Sequence, residues 1–462
     1  MSQNAPLSVP YLAMPVLETP NVSLVTMLEA TSEDTVGAFA AGVLDGTGWQ
    51  IDKVRKRSSR LEPPDRYWSM FEISVSKDAL ARQLRLVARG AFDEQAWGEL
   101  SDRLERHGAG GPCDPIRGLG SPRLFPESQV AYWFYPYDPA LPGLPAAADP
   151  ETMTRRLLGH AGELGHLLEG QPQLTIERVR YVPEVAAILR YKFETSAGPV
   201  TMYGKVQPGD RGLRAHRIVE GLWQAARRFE GLIHLPHPLG FVPDLGLLLE
   251  ESIPGKPVGG RRLSFEFQNS AYAAADAIAV MHEAGVETDI EIRLENEMAR
   301  LRDVAEQFAY VHPNAHFLLM DLVTHMQKRI DSTDEEHMLS THGDMKYDQF
   351  MQHNGKFTLL DFDYYARAET SYDIGKYCGY LTPSIPRNWE ETVAAEETRR
   401  VFLRRYMELR PFATLQRFQI YEALTLALRA MTFMWAQSKG WEQMAETFLV
   451  MAHERLYTRL PD

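Results

Sequence analysis

The segment from His342 to Asp363 concentrates side chains that can do chemistry. Asp344 is followed by Lys346 two residues on and Gln349 five residues on, and Asp361 and Asp363 close the segment. Carboxylate and amide oxygens suit a hard cation such as Mg²⁺, and a lysine can balance the charge of a phosphoryl group. An acid can orient an attacking hydroxyl and accept its proton. Together these are the requirements of phosphoryl transfer. Each residue alone carries little, since a single buried acid is often a cap or a turn residue. The joint spacing carries the reading.

A hairpin must position these groups. Asn354-Gly355 lies between two apolar runs and favours a two-residue turn with positive φ at both positions. Pairing outward from that turn sets His353 against Lys356 and Gln352 against Phe357. Further out, Gln349 falls opposite Leu360 and Asp348 opposite Asp361. The hairpin therefore returns Asp361 to the loop that holds Asp344 and Lys346.

Asp344-x-Lys346-x-x-Gln349, followed by Leu360-Asp361-Phe362, resembles the catalytic and metal-binding loops of eukaryotic-type protein kinases. The preceding His342-Gly343 resembles instead the aminoglycoside phosphotransferase and choline kinase superfamily, whose pattern is HGD followed by a basic residue and Asn. Gln349 departs from that Asn and retains the amide oxygen. Maltokinase-like members look similar here as well. The resemblance implies ATP and Mg²⁺ as cofactors. It implies that Asp344 is the base, that Lys346 faces the transferring phosphate, and that Gln349 and Asp361 bind metal with help from Asp363. Asp373, in Ser371-Tyr372-Asp373-Ile374-Gly375, matches a residue that braces the catalytic loop in those relatives, with His342 as further support.

The same resemblance implies a lysine on a central strand for the α- and β-phosphates. Lys205, in Met202-Tyr203-Gly204-Lys205-Val206, fits. Glu220, fifteen residues on, is the candidate partner for it, and a solvated helix face is the plain alternative. No Gly-rich loop precedes Lys205: Arg180-Tyr181-Val182-Pro183-Glu184-Val185 occupies the expected place. Leu249-Glu250-Glu251-Ser252-Ile253-Pro254-Gly255 looks like the hinge between two lobes, with Glu251, Ser252 and Ile253 at the nucleotide base.

Around these motifs the chain reads as an α+β protein. A two-lobed protein kinase-like fold, with a β-rich N-lobe and a helical C-lobe, is preceded by a small α+β accessory domain. Residues 1–25 are Pro-rich and irregular. Residues 26–130 form the accessory module, with strands at Trp49–Arg55, Tyr67–Ser76 and Gln83–Ala91 and helices at Ser32–Leu44 and Glu94–His107. A Gly/Pro-rich stretch, His107–Pro122, interrupts it. Residues 131–171 are a connector with a helix at Met153–Leu168. Residues 172–255 are the N-lobe and hinge, and residues 256–462 the C-lobe.

Bulk properties narrow the rest. In 462 residues, Lys and Arg number 49 and Asp and Glu 62, a net charge of −13. That balance argues against a nucleic-acid partner. The two cysteines, Cys113 and Cys378, suggest neither zinc site nor disulfide framework. No apolar run suits a signal peptide or membrane span, and a cytoplasmic setting is the expectation. The expected partners are a nucleotide and a small-molecule hydroxyl acceptor: a sugar, an amino sugar or an aminoglycoside-like compound. Residues 287–336 hold 12 acids against 5 bases, which could favour a cationic acceptor or could be solvated helix faces. The rival reading is a pseudokinase scaffold that binds nucleotide or a partner.

Overall fold

The structure is a computed structural model that describes residues 24–62, 66–106, 119, 122–158, 173–195, 198–229, 232–384, 389–436 and 438–458. The irregular N-terminus as far as residue 23, most of the His107–Pro122 stretch and the Met153–Leu168 helix beyond Leu158 lie outside the described residues.

The chain opens with α1 (Leu24–Ala30) and α2 (Glu33–Leu44). Ser32 caps α2, its hydroxyl accepting from Thr35 N–H at 3.1 Å. Three long strands follow, β1 (Gln50–Glu62), β2 (Arg66–Lys77) and β3 (Leu80–Ala91), then α3 (Glu94–Arg106), β4 (Arg123–Phe125) and β5 (Val130–Phe134). The five strands form one antiparallel sheet in the order β1-β2-β3-β5-β4. The sheet runs through Phe134, past the expected boundary at residue 130, because β5 is buried along its whole length between β3 and β4. β1 is an edge strand, and its basic run is neutralised in part by Arg57–Glu72 at 2.7 Å. This suits a charged edge that resists pairing with other chains.

Two short helices, α4 (Leu144–Ala147) and α5 (Pro150–Leu158), lead to a second five-stranded antiparallel sheet. It contains β6 (Gln173–Val182), β7 (Ala186–Thr195), β8 (Gly198–Val206), β9 (Pro238–Val242) and β10 (Leu247–Glu251), ordered β6-β7-β8-β10-β9. Helix α6 (Arg211–Ala226) connects β8 to β9. Burial alternates along β7, as period-two side-chain placement requires. Leu189, Tyr191 and Phe193 point away from the lobe interface and join Val87 and Trp133 of the accessory sheet in one core. The accessory module therefore covers the outer face of the N-lobe sheet.

After β11 (Lys256–Pro257) the chain is mainly helical. Its elements are α7 (Phe265–Ala284), β12 (Glu291–Ile292), α8 (Leu294–Val311), α9 (Pro313–Asp331), β13 (Met338–Thr341), β14 (Phe350–His353), β15 (Lys356–Leu359), β16 (Ala366–Glu369), α10 (Ser371–Leu381), α11 (Trp389–Leu409), α12 (Phe418–Ala436) and α13 (Trp441–Tyr457). Ser264 caps α7, and Gly285 ends it in the left-handed region. Two cores fill this lobe, one around α7 and the other around α8, α9, α12 and α13. Trp441 is buried in the second; Trp435 donates to Gln307 at 3.1 Å and carries Arg60 of β1 over its ring at 4.3 Å. Among the described residues no helix is long and apolar enough to cross a membrane.

Candidate active site

The Asn354-Gly355 hairpin forms with the expected register: His353 pairs with Lys356, Gln352 with Phe357, Met351 with Thr358 and Phe350 with Leu359. Asn354 and Gly355 have φ of 49° and 80°, both positive as the two-residue turn requires. Leu360 N–H then donates to Gln349 carbonyl at 2.9 Å, extending the ladder by one pair. This brings the loop after β13 and the loop after β15 together.

Four hydrogen bonds lock that junction. The Gln349 amide Nε2 donates to Asp344 Oδ2 at 3.1 Å. His342 Nε2 lies 2.9 Å from Leu360 carbonyl oxygen, and the buried Asp373 accepts His342 N–H at 2.6 Å and Gly343 N–H at 3.0 Å. Asp373 stands in the first turn of α10, so the helix and the loop after β13 are tied through one carboxylate. Gly343 has φ +79°, and a Cβ there would meet Tyr364 carbonyl oxygen at 1.9 Å. The loop can take this path only with glycine at that position.

Asp344 lies between two lysines. Lys346 Nζ is 3.0 Å from Oδ2 and Lys376 Nζ is 3.5 Å from Oδ1. Burial opposes charge on Asp344, but Lys376 and Lys346 outweigh it and hold the carboxyl below its ordinary range. Burial likewise opposes charge on Lys346, and Asp344 overcomes that. Lys376 also donates to Gly343 carbonyl at 2.5 Å and lies 5.3 Å from the Tyr372 ring centroid. It was not among the residues singled out from sequence. The signal was there, because Lys376 follows Asp373 by one helical turn and must share its face.

Lys205 reaches across the lobes to the other loop, with Nζ 2.7 Å from Asp361 Oδ1 and 2.5 Å from Asp363 Oδ2. Gln207 Nε2 donates to Asp363 Oδ2 at 2.9 Å. Burial would depress the Lys205 ammonium, but Asp363 and Asp361 keep it raised. Burial also opposes charge on both acids; beside Lys205, Asp361 ends below its usual value, whereas Asp363 ends above it with the like charge of Asp361 adding to burial. Asp361 has φ +68°, a left-handed conformation that Asp tolerates better than most residues.

Glu220 is not the partner of Lys205. It is exposed on α6 and faces His216 Nε2 at 4.0 Å, because Ile218 and Val219 take the inward face of that helix. On the hinge, Glu251 is engaged with His237: its N–H donates to His237 carbonyl at 3.0 Å, and its carboxylate accepts His237 N–H at 2.8 Å. Ser252 and Ile253 are half-buried, and among the described residues their backbone groups make no hydrogen bond. Glu250 is a further acid of the site. Lys205 pairs with Leu248 across β8 and β10, so Glu250, two residues on, faces the cleft with them. Burial pushes its carboxyl up to about 7, against the pull of Lys205.

The turn between β6 and β7 stands where a Gly-rich loop was missing, and the accessory module holds it. Glu184, at φ 61°, is gripped by Arg89 Nε at 2.9 Å and Arg103 Nη1 at 3.2 Å. Buried Asp138 accepts from Glu184 N–H at 2.9 Å and from Tyr181 hydroxyl at 2.7 Å. Of the acids of residues 287–336, Glu287 and Asp289 line a cavity of about 730 Å³ with Arg214, Arg217 and Arg367.

A β-rich lobe carrying a lysine, a hinge, and a helical lobe carrying two carboxylate loops define the protein kinase-like fold. Among solved structures, the choline kinase of Cryptosporidium parvum Iowa II is 12% identical over 66% of this chain and 95% of its own, with a TM-score of 0.49. A choline/ethanolamine kinase family protein of Mesorhizobium loti is 13% identical over 67% of this chain and 95% of its own, at 0.46. The choline kinase of Streptococcus pneumoniae is 15% identical over 66% and 98%, at 0.44. No family model matches the chain, and no curated protein matches it.

Proposed function

We propose that this chain is an ATP-dependent kinase acting on a hydroxyl of a small molecule. The observation that carries the reading is the convergence of two loops on one cleft, with Gln349 on Asp344 at 3.1 Å and Lys205 on Asp361 at 2.7 Å. A structural hairpin has no use for three carboxylates and three lysines at its open end.

The roles follow from chemistry. Asp344 is kept ionised and orients the acceptor hydroxyl, taking its proton as the phosphoryl group moves. Lys346 balances charge on that group, and Lys205 binds the α- and β-phosphates after exchanging its acids for them. His342 and Asp373 fix the loop, and Lys376 holds Asp344 from behind. The donor set fits Mg²⁺: Asp361 Oδ2 makes no hydrogen bond among the described residues, and Gln349 turns its Nε2 to Asp344, leaving the amide oxygen for a cation. Mg²⁺ held by Asp361, Gln349 and Asp363 would neutralise phosphate charge during transfer. Ser252 and Ile253 offer backbone groups to the nucleotide base. The charged neighbours of Asp344 are Lys346 and Lys376, with Asp348 Oδ1 3.9 Å from Lys346 and Tyr380 under Lys346 at 5.6 Å. These two lysines and two acids balance, which suits a hydroxyl compound such as a sugar or amino sugar.

Thermal denaturation with Mg²⁺·ATP tests the first half. Nucleotide at ~100 times its dissociation constant should add about 2.7 kcal/mol of stability. ADP release across sugars, amino sugars, aminoglycosides and amino alcohols tests the second. No stabilisation by any nucleotide and metal would refute the reading. Stabilisation without product across the panel would favour a nucleotide-binding scaffold.

A further inference from the structure

Outside the cleft, helices α9 and α13 bring three ligand-type side chains to one point. Asp321 and His325 are four residues apart on α9, and His453 and Tyr457 are four apart on α13, so each pair occupies one helix face. Asp321 Oδ2 is 3.5 Å from His453 Nε2, and Asp321 Oδ1 is 3.8 Å from His325 Nε2. The two imidazole rings are 4.7 Å apart at 63°. One donor atom from each of the three residues lies within 4.8 Å of the others.

These separations are too long for hydrogen bonds, which close to roughly 2.7–3.2 Å. With one donor atom from each residue within 4.8 Å of the others, the cluster is slightly wider than a shared cation would hold it, a gap that small side-chain rotations at the surface can close. Ligand atoms about 2.0–2.2 Å from a tetrahedral Zn²⁺ stand about 3.3–3.6 Å from one another. The outer contact points the same way. His325 Nδ1 is 2.5 Å from Tyr457 hydroxyl, so Nδ1–H can donate to the phenol oxygen and leave the Nε2 lone pair directed at the cluster. Among the described residues Asp321 has no lysine or arginine partner; its side-chain neighbours are the two histidines.

We infer that Asp321, His325 and His453 form a surface site for a borderline divalent cation of the Zn²⁺ class, with Tyr457 orienting the ring of His325. Two imidazoles and one carboxylate suit such an ion better than Mg²⁺ or Ca²⁺, which prefer all-oxygen sets. Three protein ligands leave one position of the tetrahedron for water or an outside donor. The site lies on α9 and α13, apart from the loops that carry Asp344 and Asp361, and does not depend on the catalytic reading.

The test is calorimetric titration of the full chain, stripped with a chelator and dialysed, with Zn²⁺ alone. One ion per chain is expected. His453→Ala and the near-isosteric Asp321→Asn should each weaken binding by well over tenfold, and Tyr457→Phe by roughly 10–100-fold through the ring it orients. Circular dichroism reports whether each variant is folded, and Asp321→Asn decides the matter should His453→Ala fail to fold. Co²⁺ in the same site should show the visible absorption of a tetrahedral ion, lost in both variants. No Zn²⁺ binding by the parent chain would overturn the inference, as would equal affinity in parent and Asp321→Asn.

Discussion

Arg89 of the accessory sheet holds Glu184 of the β6–β7 turn through Nε and Oε2 at 2.9 Å, although 95 residues separate them. The pair is nearly enclosed, with both side chains 9% exposed, and Arg103 adds a second cation to the same carboxylate. A Gly-rich loop binds phosphates by closing its backbone over them. This turn lacks that glycine sequence and is instead fixed from outside the lobe.

Arg89→Ala should therefore act on nucleotide binding. Breaking one partner of a buried pair costs about 3–5 kcal/mol, part of it recovered here because Arg103 remains. The expected outcome is a lower melting temperature and a raised KM for ATP, with kcat changed much less. A variant whose KM for ATP matches that of the parent chain would separate the accessory module from the proposed nucleotide site.

Asp344→Asn should lower turnover by ~10²–10⁴-fold while nucleotide binding persists. Lys376→Met should act through Asp344: its carboxyl is held below the ordinary range by Lys376 and Lys346, so losing one lysine moves it upward. The acid limb of the kcat profile should then shift to higher pH. An unshifted limb would remove Lys376 from the support of Asp344.

Where local chemistry determines structure, the sequence was readable. Asn354-Gly355 demands positive φ at both positions, and the whole register of β14 and β15 follows from that turn. Lys205 was placed through the resemblance, by its order ahead of the Asp344 motif. Glu220 was placed by order along the chain, and the phase of α6 turns it to solvent because Ile218 and Val219 face inward. β6 carried a weak signal, since Glu177, Arg178 and Arg180 interrupt any apolar alternation. The four-residue strands β13 and β16 are too short to stand out between helices. The grip of Arg89 and Asp138 on the Glu184 turn depends on how two sheets pack, which no spacing rule contains.

Gly343→Ala should destabilise the loop after β13 that carries Asp344. The left-handed conformation costs a non-glycine residue about 1–2 kcal/mol, and the new Cβ would press on Tyr364 carbonyl oxygen, which is backbone and cannot swing away. Both Asp373 hydrogen bonds to the loop would be disturbed with it. A melting temperature lowered by several degrees and turnover lost beyond assay are expected. Parent-like stability and activity would mean that the loop adopts another path.

Glu250 predicts a pH dependence of nucleotide binding. Its carboxyl, raised to about 7 by burial against the attraction of Lys205, is half-protonated near neutrality. Lys205, Asp361 and Asp363 are the charges that act on it. Below pH 7 the neutral acid leaves Lys205 to the phosphates. Above pH 7 the carboxylate adds a negative charge beside the triphosphate and competes for the same ammonium, so the Kd for ATP should rise with pH. Glu250→Gln keeps the shape and removes the titration, so its Kd should stay near the low-pH value of the parent across the same range. The sign for stability is parallel: the folded chain retains a proton that the unfolded acid releases near pH 4.5, so stability from this group falls as pH rises from about 4.5 to about 7. Nucleotide titrations at pH 6, 7 and 8 on both chains, with melting curves alongside, measure the two effects together. Parallel pH profiles for parent and Glu250→Gln would assign the titration to another group.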